Sequence, residues 1–296
     1  MFKGLKKPRR WTIFEIIGFL ILGMFTIAIV FPILWSVITS FKGNLEFREN
    51  KFGLPQVWEF ENYWTAIKNF KVVIESGAGL RTVMIFEMLF NTFMYAIGGT
   101  FFYMLCHYLM AYVTAIYQNK FSKFLYWLML TLIVVPISNS TAATVDLVRN
   151  LGLYDNWLGF FFMRFQFTGM YFLILHESIR ATSKTITEAA EIDGAGRWRI
   201  MFQIVFPQVR GVMSTISLIT FIAAWNDYMN PKLYLPTHPT IAFGLFEYIR
   251  SGNNAISGSI CMRLCGCMII FIPIFILFVL FRDKIMGNLS YGGVKE

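Results

Sequence analysis

The chain is poor in charge and has no clustered set of metal-binding or nucleophilic side chains. Only 15% of its 296 residues are charged and 56% are apolar, whereas soluble domains average about 25% charged residues. Its 3 histidines are scattered, and no CxxC, HExxH or G-x-S-x-G spacing occurs. The sequence therefore lacks the residue patterns of a zinc enzyme or a serine hydrolase. Its cysteines lie in or beside apolar runs and are expected to be packing thiols: Cys106, Cys261, Cys265 and Cys267.

A phosphate-binding loop of the form G-x-x-x-x-G-K-[ST] is also missing from the sequence. If the protein depends on ATP, another polypeptide must bind the nucleotide, and no cofactor or metal is expected on this chain. The net charge of +9 would suit a nucleic-acid partner. The high apolar content argues against one, and membrane topology explains the positions of the basic residues better.

Long apolar runs are what the sequence does contain. A helix needs about twenty mostly apolar residues to cross a bilayer. Six windows meet this need: residues 16–38, 83–112, 124–143, 157–175, 212–229 and 261–281. The first run is too long for a signal-peptide core and lacks a small-residue cleavage pattern, so we expect it to be retained. The sequence therefore predicts an all-α membrane protein with six transmembrane helices in a single transmembrane domain, residues 1–296.

Basic residues predict the orientation of these helices. The tail of residues 1–10 is rich in lysine and arginine, which collect on the cytoplasmic side of membrane proteins. We therefore expect a cytoplasmic N-terminus, and six spans place the tail of residues 282–296 on the same side. The largest outer segment is then residues 42–81. A short helix is expected to start there at Glu61, with neighbouring aromatic residues as interfacial anchors: Trp58, Phe60, Tyr63 and Trp64.

Residues 180–208 form an unusually long polar connection on the predicted cytoplasmic side. Thr185 and Glu188 fit a capping box that would start a helix at Ile186. Gly194 is placed to end that helix, and an amphipathic piece follows it. Pro207 suits the first turn of the next spanning helix. A helix, a bend and a second helix suggest a docking surface for a soluble partner, although a connector lying on the headgroups is an alternative.

The same loop carries a family pattern. The motif E-A-A-x-x-D-G-A, with I-x-x-P about ten residues beyond its glycine, resembles the EAA loop of ABC-importer permeases. The resemblance extends to the end of the first span at 32–42, to Asn91-Thr92, to 151–153, to 225–228 and to 292–295. In pattern the chain is most similar to the MalG-like permeases of carbohydrate importers.

This resemblance implies a function that composition alone does not give. It implies the type I ABC-importer permease fold, in the bacterial cytoplasmic membrane, with the helix at about 186–193 seated in a groove on an ATPase subunit. The implied partners are a second homologous permease, two ATPase subunits that use ATP and Mg, an extracytoplasmic solute-binding protein, a carbohydrate substrate and membrane lipid. The chain itself would be no enzyme. The residues implied in ATPase coupling are Glu188, Ala189, Ala190, Asp193, Gly194, Ala195, Ile204 and Pro207.

Polar and aromatic residues in the predicted spans are candidates for lining the transport pathway, because polar groups in a membrane usually face a pathway or another helix. The candidates are Asn91, Ser138, Asn139, Trp225, Asn226, Asp227 and Tyr228. Hydrogen bonding between helices, or an interfacial helix end at Asn226-Asp227, is the alternative for these residues. Arg164 is expected near the outer end of the fourth span, where it would act as a snorkelling anchor.

Three other functions compete with this interpretation. A non-sugar cargo such as a polyol or glycerol phosphate stays within the same family. A stand-alone secondary transporter would need inverted repeats and paired intramembrane charges, and the sequence displays neither. An intramembrane enzyme would need a convergent catalytic set, which is also missing from the sequence.

Overall fold

The computed structural model of the protein describes residues 12–76, 79–117, 119–135, 141–167, 169–182, 184–250 and 259–289. These residues are mainly helical. The helices are α1 (Ile13–Ser40), α2 (Asn44–Glu49), α3 (Glu61–Asn69), α4 (Ile85–Phe93), α5 (Gly99–Ile116), α6 (Lys120–Val134), α7 (Thr141–Asn150), α8 (Trp157–Arg164), α9 (Met170–Arg180), α10 (Lys184–Ile192), α11 (Arg197–Arg199), α12 (Phe206–Trp225), α13 (Met229–Tyr234), α14 (Ile241–Arg250) and α15 (Ile260–Leu289). Two π-helical segments, Met94–Gly98 and Ile200–Val205, join α4 to α5 and α11 to α12.

Four helical stretches in the described residues are long and apolar enough to cross a bilayer. They are Ile13–Ser40, Ile85–Ile116, Arg197–Trp225 and Ile260–Leu280, and they contain the first, second, fifth and sixth predicted spans in whole or in large part. The third predicted span corresponds to α6, of 15 residues, followed by residues 136–140, which lie outside the described part of the chain. The count of six and the cytoplasmic termini therefore stay predictions.

The fourth predicted span, 157–175, is wrong as a single helix. The structure divides it into α8, which ends at Arg164, and α9, which begins at Met170. Gly169 has a φ of +154°, a backbone conformation that favours glycine because it has no Cβ. Apolar side chains continue across this break, so the hydropathy pattern concealed it.

The chain divides into two compact units, residues 1–69 with 252–269 and residues 70–251 with 270–296. In the first unit, side chains of α3 bind the end of α1. The Tyr63 hydroxyl lies 2.7 Å from Ser40 Oγ, and Asn62 Nδ2 donates to the carbonyls of Ser40 and Lys42. Lys42 is fully buried and donates from Nζ to the carbonyl of Asn50 at 2.7 Å. The helix predicted to start at Glu61 is confirmed as α3.

The second unit begins with a hairpin that the all-α expectation missed. Strands β1 (Lys71–Ser76) and β2 (Gly79–Met84) pair antiparallel in a register that joins Lys71 to Met84 and Ser76 to Gly79. Val72 and Ile74 are buried, whereas Val73 between them is exposed. This alternation is the period of a half-buried strand.

Glycines allow close packing in the second unit. At Gly98 a Cβ atom would lie only 2.4 Å from the Phe161 ring, so α8 can approach the α4–α5 helix closely only because this side chain is missing. The main core joins α5, α9 and the π-helical start of the Arg197–Trp225 helix. Its fully buried members include Tyr108, Ile179 and Val205. This core holds the polar 180–208 loop against the ends of α5 and α9.

Candidate functional site

Helix α10 carries the centre of the EAA pattern, and its start differs from the prediction. The helix begins at Lys184, so Thr185 lies inside it and is not its N-cap. The predicted end is confirmed. Gly194 has a φ of +78°, its N–H donates to the Glu191 carbonyl at 3.1 Å, and the Ala195 N–H donates to the Ala190 carbonyl at 2.9 Å. These two bonds form a Schellman motif, which glycine favours at the left-handed position.

The Schellman motif turns the chain back onto the bundle. Ala190 and Ala195 are partly buried against the main core, and Thr187 is buried on the same side of α10. Their small side chains bring the helix backbone close to the packed helices. One side of α10 is therefore fixed to the membrane domain.

The remainder of α10 faces away from the chain. Ile192 is 87% exposed and Ile186 is 49% exposed, while Glu188, Ala189 and Asp193 are also exposed. Nothing within the described chain lies within 4 Å of the position that a Cβ on Gly194 would occupy. Two large apolar side chains beside small and acidic ones form an exposed surface, which we call the coupling surface: Ile186, Glu188, Ala189, Ile192, Asp193 and Gly194. Such a mixed apolar and charged patch suits contact with another protein.

A polar cavity of about 420 Å³ lies behind α10. It is bounded by the ends of α5 and α9 and by the inward side of α10, and its charged lining residues are Arg180, Glu188 and Glu191. The guanidinium of Arg197 lies 5.9 Å from the centre of the Tyr117 ring, which also lines the cavity. Part of the α10 surface that faces the bundle is therefore unfilled.

The other two predicted coupling residues lie on the long helix Arg197–Trp225. Ile204 is partly buried against the main core, and Pro207 is exposed. The prediction that Pro207 lies in the first turn of the next helix is confirmed, because α12 begins at Phe206. The amphipathic piece before it is not separate, since α11 and the π-helical segment continue into α12 without a break. Proline removes one backbone donor, and the π-helical segment Ile200–Val205 lies directly before this position.

The five predicted pathway residues that the structure describes all make contacts within the chain. Asn91 is buried and donates from Nδ2 to the carbonyl of Pro239 at 3.1 Å. Trp225 is fully buried, with its ring centre 5.4 Å from that of Phe93. Both arrangements favour the alternative of structural packing. Ser138 and Asn139 lie outside the described residues.

Asp227 and its neighbours follow the C-terminal end of α12. The Asp227 carboxylate accepts from Tyr95 Oη at 2.7 Å, from Asn230 Nδ2 at 2.6 Å and from the Asn230 backbone N–H at 3.1 Å. Asn226 donates to the carbonyl of Ile222, and the ring of Tyr228 stacks on Phe246 at 4.6 Å. The Asp227 carboxylate therefore binds a spanning helix to the start of α13. Sequence reasoning missed Tyr95, because a lone tyrosine in an apolar run gives no signal of its partner.

A cavity of about 490 Å³ in the second unit was not foreseen. It is lined by aromatic rings, aliphatic side chains and hydroxyl groups, most of them on α4, α5 and α12. The rings and hydroxyls are those of Phe93, Phe101, Phe221, Thr100, Ser214, Thr215 and Ser217. Serine and phenylalanine in an apolar run are also common in packed helices, so spacing alone did not single them out.

Arg164 is the last residue of α8, but its Nε lies beside another helix, and its anchor role stays a prediction. A Cβ on Gly99 would lie 3.3 Å from Arg164 Nε, and Gly99 is close to the middle of the Ile85–Ile116 helix. The guanidinium carbon lies 5.5 Å from the centre of the Tyr103 ring. Arg164 therefore lies beside the middle of that helix. Among the described residues, no group of three or more metal-binding side chains occurs.

Known proteins resemble the chain along most of its length. The diacetylchitobiose uptake system permease protein NgcG of Streptomyces coelicolor is 25% identical over 292 residues, covering 94% of this chain and 88% of its own. The galactooligosaccharides transport system permease protein GanQ of Bacillus subtilis is 23% identical, with 98% of each chain covered. The sn-glycerol-3-phosphate transport system permease protein UgpE of Yersinia enterocolitica is 26% identical over 60% of each chain.

The fold and the family agree with these relatives. A solved bacterial ABC transporter that imports the acidic polysaccharide alginate contains a chain that matches with a TM-score of 0.76 and 20% identity. The match covers 92% of this chain and 96% of that one. The family model described as "Binding-protein-dependent transport system inner membrane component" matches residues 107–290, more than half of the sequence. The chain therefore belongs to the inner-membrane permeases of binding-protein-dependent transport systems, and it has the fold of an ABC-importer permease.

Proposed function

We propose that the chain is one permease subunit of an ATP-driven importer of carbohydrate, of oligosaccharide size, in the bacterial cytoplasmic membrane. It pairs with a second permease, two ATPase subunits and an extracytoplasmic solute-binding protein. ATP and Mg are used by the ATPase subunits, and this chain forms half of the translocation pathway. The sugar-importing relatives NgcG and GanQ support the cargo class.

The coupling surface carries the mechanistic part of the proposal. Helix α10 is fixed to the main core by Ala190 and Ala195, whereas Ile192 extends into solvent with 87% of its surface exposed. An isoleucine exposed to this extent gains free energy from burial against a partner, about 1.5–3 kcal/mol when it is fully covered. An ATPase that holds this surface would move the ends of α5 and α9 together with α10.

Cysteine cross-linking tests the docking assignment. Ala189→Cys and Asp193→Cys each place a thiol on the exposed part of α10. In the assembled importer, both are expected to cross-link to the ATPase subunit, and ATP is expected to change the yield. Asp146→Cys is the matched control, because Asp146 is an equally exposed acidic residue on α7, in the predicted outer region. Equal cross-linking from position 146, or none from positions 189 and 193, would reject the assignment.

Uptake by proteoliposomes tests the cargo class. The importer, assembled with its solute-binding protein, is expected to accumulate radiolabelled oligosaccharide only when ATP is present inside the vesicles. A polyol or glycerol phosphate is the competing cargo, supported by the similarity to UgpE. Accumulation of that cargo without oligosaccharide uptake would replace the carbohydrate assignment. Accumulation that persists without ATP would instead favour a secondary transporter.

A further inference from the structure

Arg164 is a charged group at the centre of the second unit that the proposed coupling mechanism does not use. Gly99, which leaves room for it, is the fifteenth residue of the helix Ile85–Ile116. At 1.5 Å per residue the glycine lies about 21 Å from one end of that helix and about 25 Å from the other. The hydrocarbon core of a bilayer is about 30 Å thick. Wherever a core of about 30 Å lies along this helix, Gly99 and the adjoining Arg164 Nε fall within it, and an unpaired charge there costs several kcal/mol.

The described residues give Arg164 an aromatic ring but no counter-ion. Its guanidinium carbon lies 5.5 Å from the centre of the Tyr103 ring, a cation–π arrangement. Its Nε is buried and has no hydrogen-bond acceptor within the described chain. None of the ion pairs formed among the described residues includes Arg164. The positive charge is therefore uncompensated in the part of the protein that the structure describes.

Asp227, the acidic residue of the same region, already accepts several hydrogen bonds. Both carboxylate oxygens of Asp227 accept hydrogen bonds, from Tyr95 and twice from Asn230. Asp227 is thus engaged with neutral donors, and its bonds hold the end of α12 to α13. A carboxylate or phosphate in direct contact with the guanidinium of Arg164 would therefore have to come from outside the described residues.

The backbone next to Arg164 indicates that such an anion can reach it. Arg164 is the last residue of α8, residues 165–167 are non-helical, and α9 begins at Met170. Non-helical backbone at membrane depth is stable only when protein covers it or when it lines a water-filled cavity. Gln166 in this break is exposed, and Arg164 itself keeps part of its surface accessible. This end of α8 therefore lies at the surface of the described chain.

The beginning of α9 adds a second attraction for an anion. Gly169 caps this helix without a side-chain hydrogen bond, and a Cβ on Gly169 would lie 3.2 Å from the Tyr103 hydroxyl. The first turn of α9 and the guanidinium of Arg164 therefore both lie against Tyr103. Free N–H groups at the start of a helix favour negative charge, and arginine binds oxyanions in a bidentate manner.

We propose that Arg164, supported by Tyr103 and the start of α9, binds an oxyanion on the transported solute, so that the cargo of this importer is an acidic or phosphorylated carbohydrate. This inference rests on the proposed importer function and specifies the chemical class of its substrate. The guanidinium would bind the carboxylate or phosphate, and the aromatic ring would contact the sugar face. The anion would compensate the charge of Arg164 only while the cargo is in the pathway.

The test uses the whole importer in proteoliposomes and three cargoes of similar size: a neutral oligosaccharide, a uronate oligosaccharide and a sugar phosphate. The wild-type importer is expected to take up one of the two anionic cargoes in preference to the neutral one. Arg164→Gln is expected to reduce that uptake by about tenfold to a hundredfold, the range for loss of a hydrogen-bonded charge. Arg164→Lys is expected to retain part of it. Arg149→Gln is the matched control, because Arg149 is an exposed arginine whose guanidinium donates to the Tyr154 hydroxyl and lies over the Tyr154 ring.

Each opposing result has a separate meaning. Preferential uptake of the neutral oligosaccharide would overturn the inference while leaving the carbohydrate importer intact. Uptake of none of the three cargoes would instead reject the proposed function. If Arg164→Gln and Arg164→Lys both prevent co-purification of the second permease, the counter-ion belongs to that permease and the inference is wrong. The comparison of wild-type cargoes needs no variant, so it decides the question even if Arg164→Gln does not fold.

Discussion

Gly194 provides the sharpest test of the coupling surface, because its two possible roles differ in magnitude. The residue has a φ of +78°, and a Cβ there would meet no atom of the described chain within 4 Å. A side chain at this position is therefore limited only by backbone conformation. The left-handed conformation costs most L-residues about 1–2 kcal/mol, whereas asparagine adopts it more readily. Gly194→Asn should thus leave the fold and the Schellman motif almost unchanged.

If an ATPase packs against this glycine, the same substitution should lower its affinity for the permease. A side chain forced into a packed contact costs about 1–3 kcal/mol, which corresponds to roughly a five- to two-hundredfold loss of affinity. We therefore expect Gly194→Asn to weaken ATPase association by about five- to two-hundredfold while membrane insertion and thermal unfolding of the permease stay as in the wild type. Gly194→Asp should behave similarly and should abolish transport. Association is measured by titrating the purified ATPase onto the permease held in nanodiscs.

The chain contains a matched control for this experiment. Gly152, after α7, also has a positive φ, +68°, and open space around its Cβ position. It ends its helix with the same pair of hydrogen bonds, from Gly152 N–H to the Arg149 carbonyl and from Leu153 N–H to the Val148 carbonyl. Gly152→Asn therefore carries the same conformational cost in the predicted outer region. Equal effects of the two substitutions on ATPase association, or wild-type association of Gly194→Asn, would refute docking at Gly194.

The other predictions concern apolar contact, a charged hydrogen bond and close packing. Ile192→Ala should weaken ATPase association by about 1–3 kcal/mol and leave stability within about 0.5 kcal/mol, since the side chain is 87% exposed; a large loss of thermal stability would contradict this. Tyr95→Phe should lower the free energy of unfolding by about 1.5–3 kcal/mol, because it removes a hydrogen bond to a carboxylate, and a double-mutant cycle with Asp227→Asn should be non-additive. Gly98→Ala should destabilise the protein by about 1–3 kcal/mol through overpacking, whereas Gly18→Ala, which meets no neighbour within 4 Å, should not; thermal unfolding in detergent measures both.

Sequence patterns predicted the features that follow from local chemistry. The end of α10 at Gly194 was foreseen because few residues other than glycine adopt a positive φ without strain. The apolar windows located the long helices because period and length alone distinguish them. The predicted start of α10, at Ile186, is two residues later than the observed start at Lys184. The residue types of Lys184 and Thr185 do not indicate that a helix begins there.

Features that depend on tertiary contacts could not be predicted from the sequence in this way. The break between α8 and α9 lies in an apolar run, so hydropathy gave it no boundary. The β hairpin did leave a signal in the sequence, because Val72, Val73 and Ile74 are β-branched and glycines follow at positions 77 and 79. The bond from Tyr95 to Asp227 joins residues 132 positions apart, and no single-sequence pattern specifies such a pair.

The position of the main core would allow the 180–208 loop to transmit force from a bound ATPase to the membrane helices, as the proposed function requires. Ala190 and Ala195, on either side of the Schellman motif, pack against the same cluster as Ile179 of α9 and Val205 of the long helix. A closely packed interior transmits displacement because it has little compressible space. A flexible connector of about thirty residues would absorb a push from a partner. Here the exposed coupling surface and the buried face belong to one nine-residue helix. A displacement of Ile192 must therefore reach the ends of α5 and α9 unless the cavity behind α10 accommodates it.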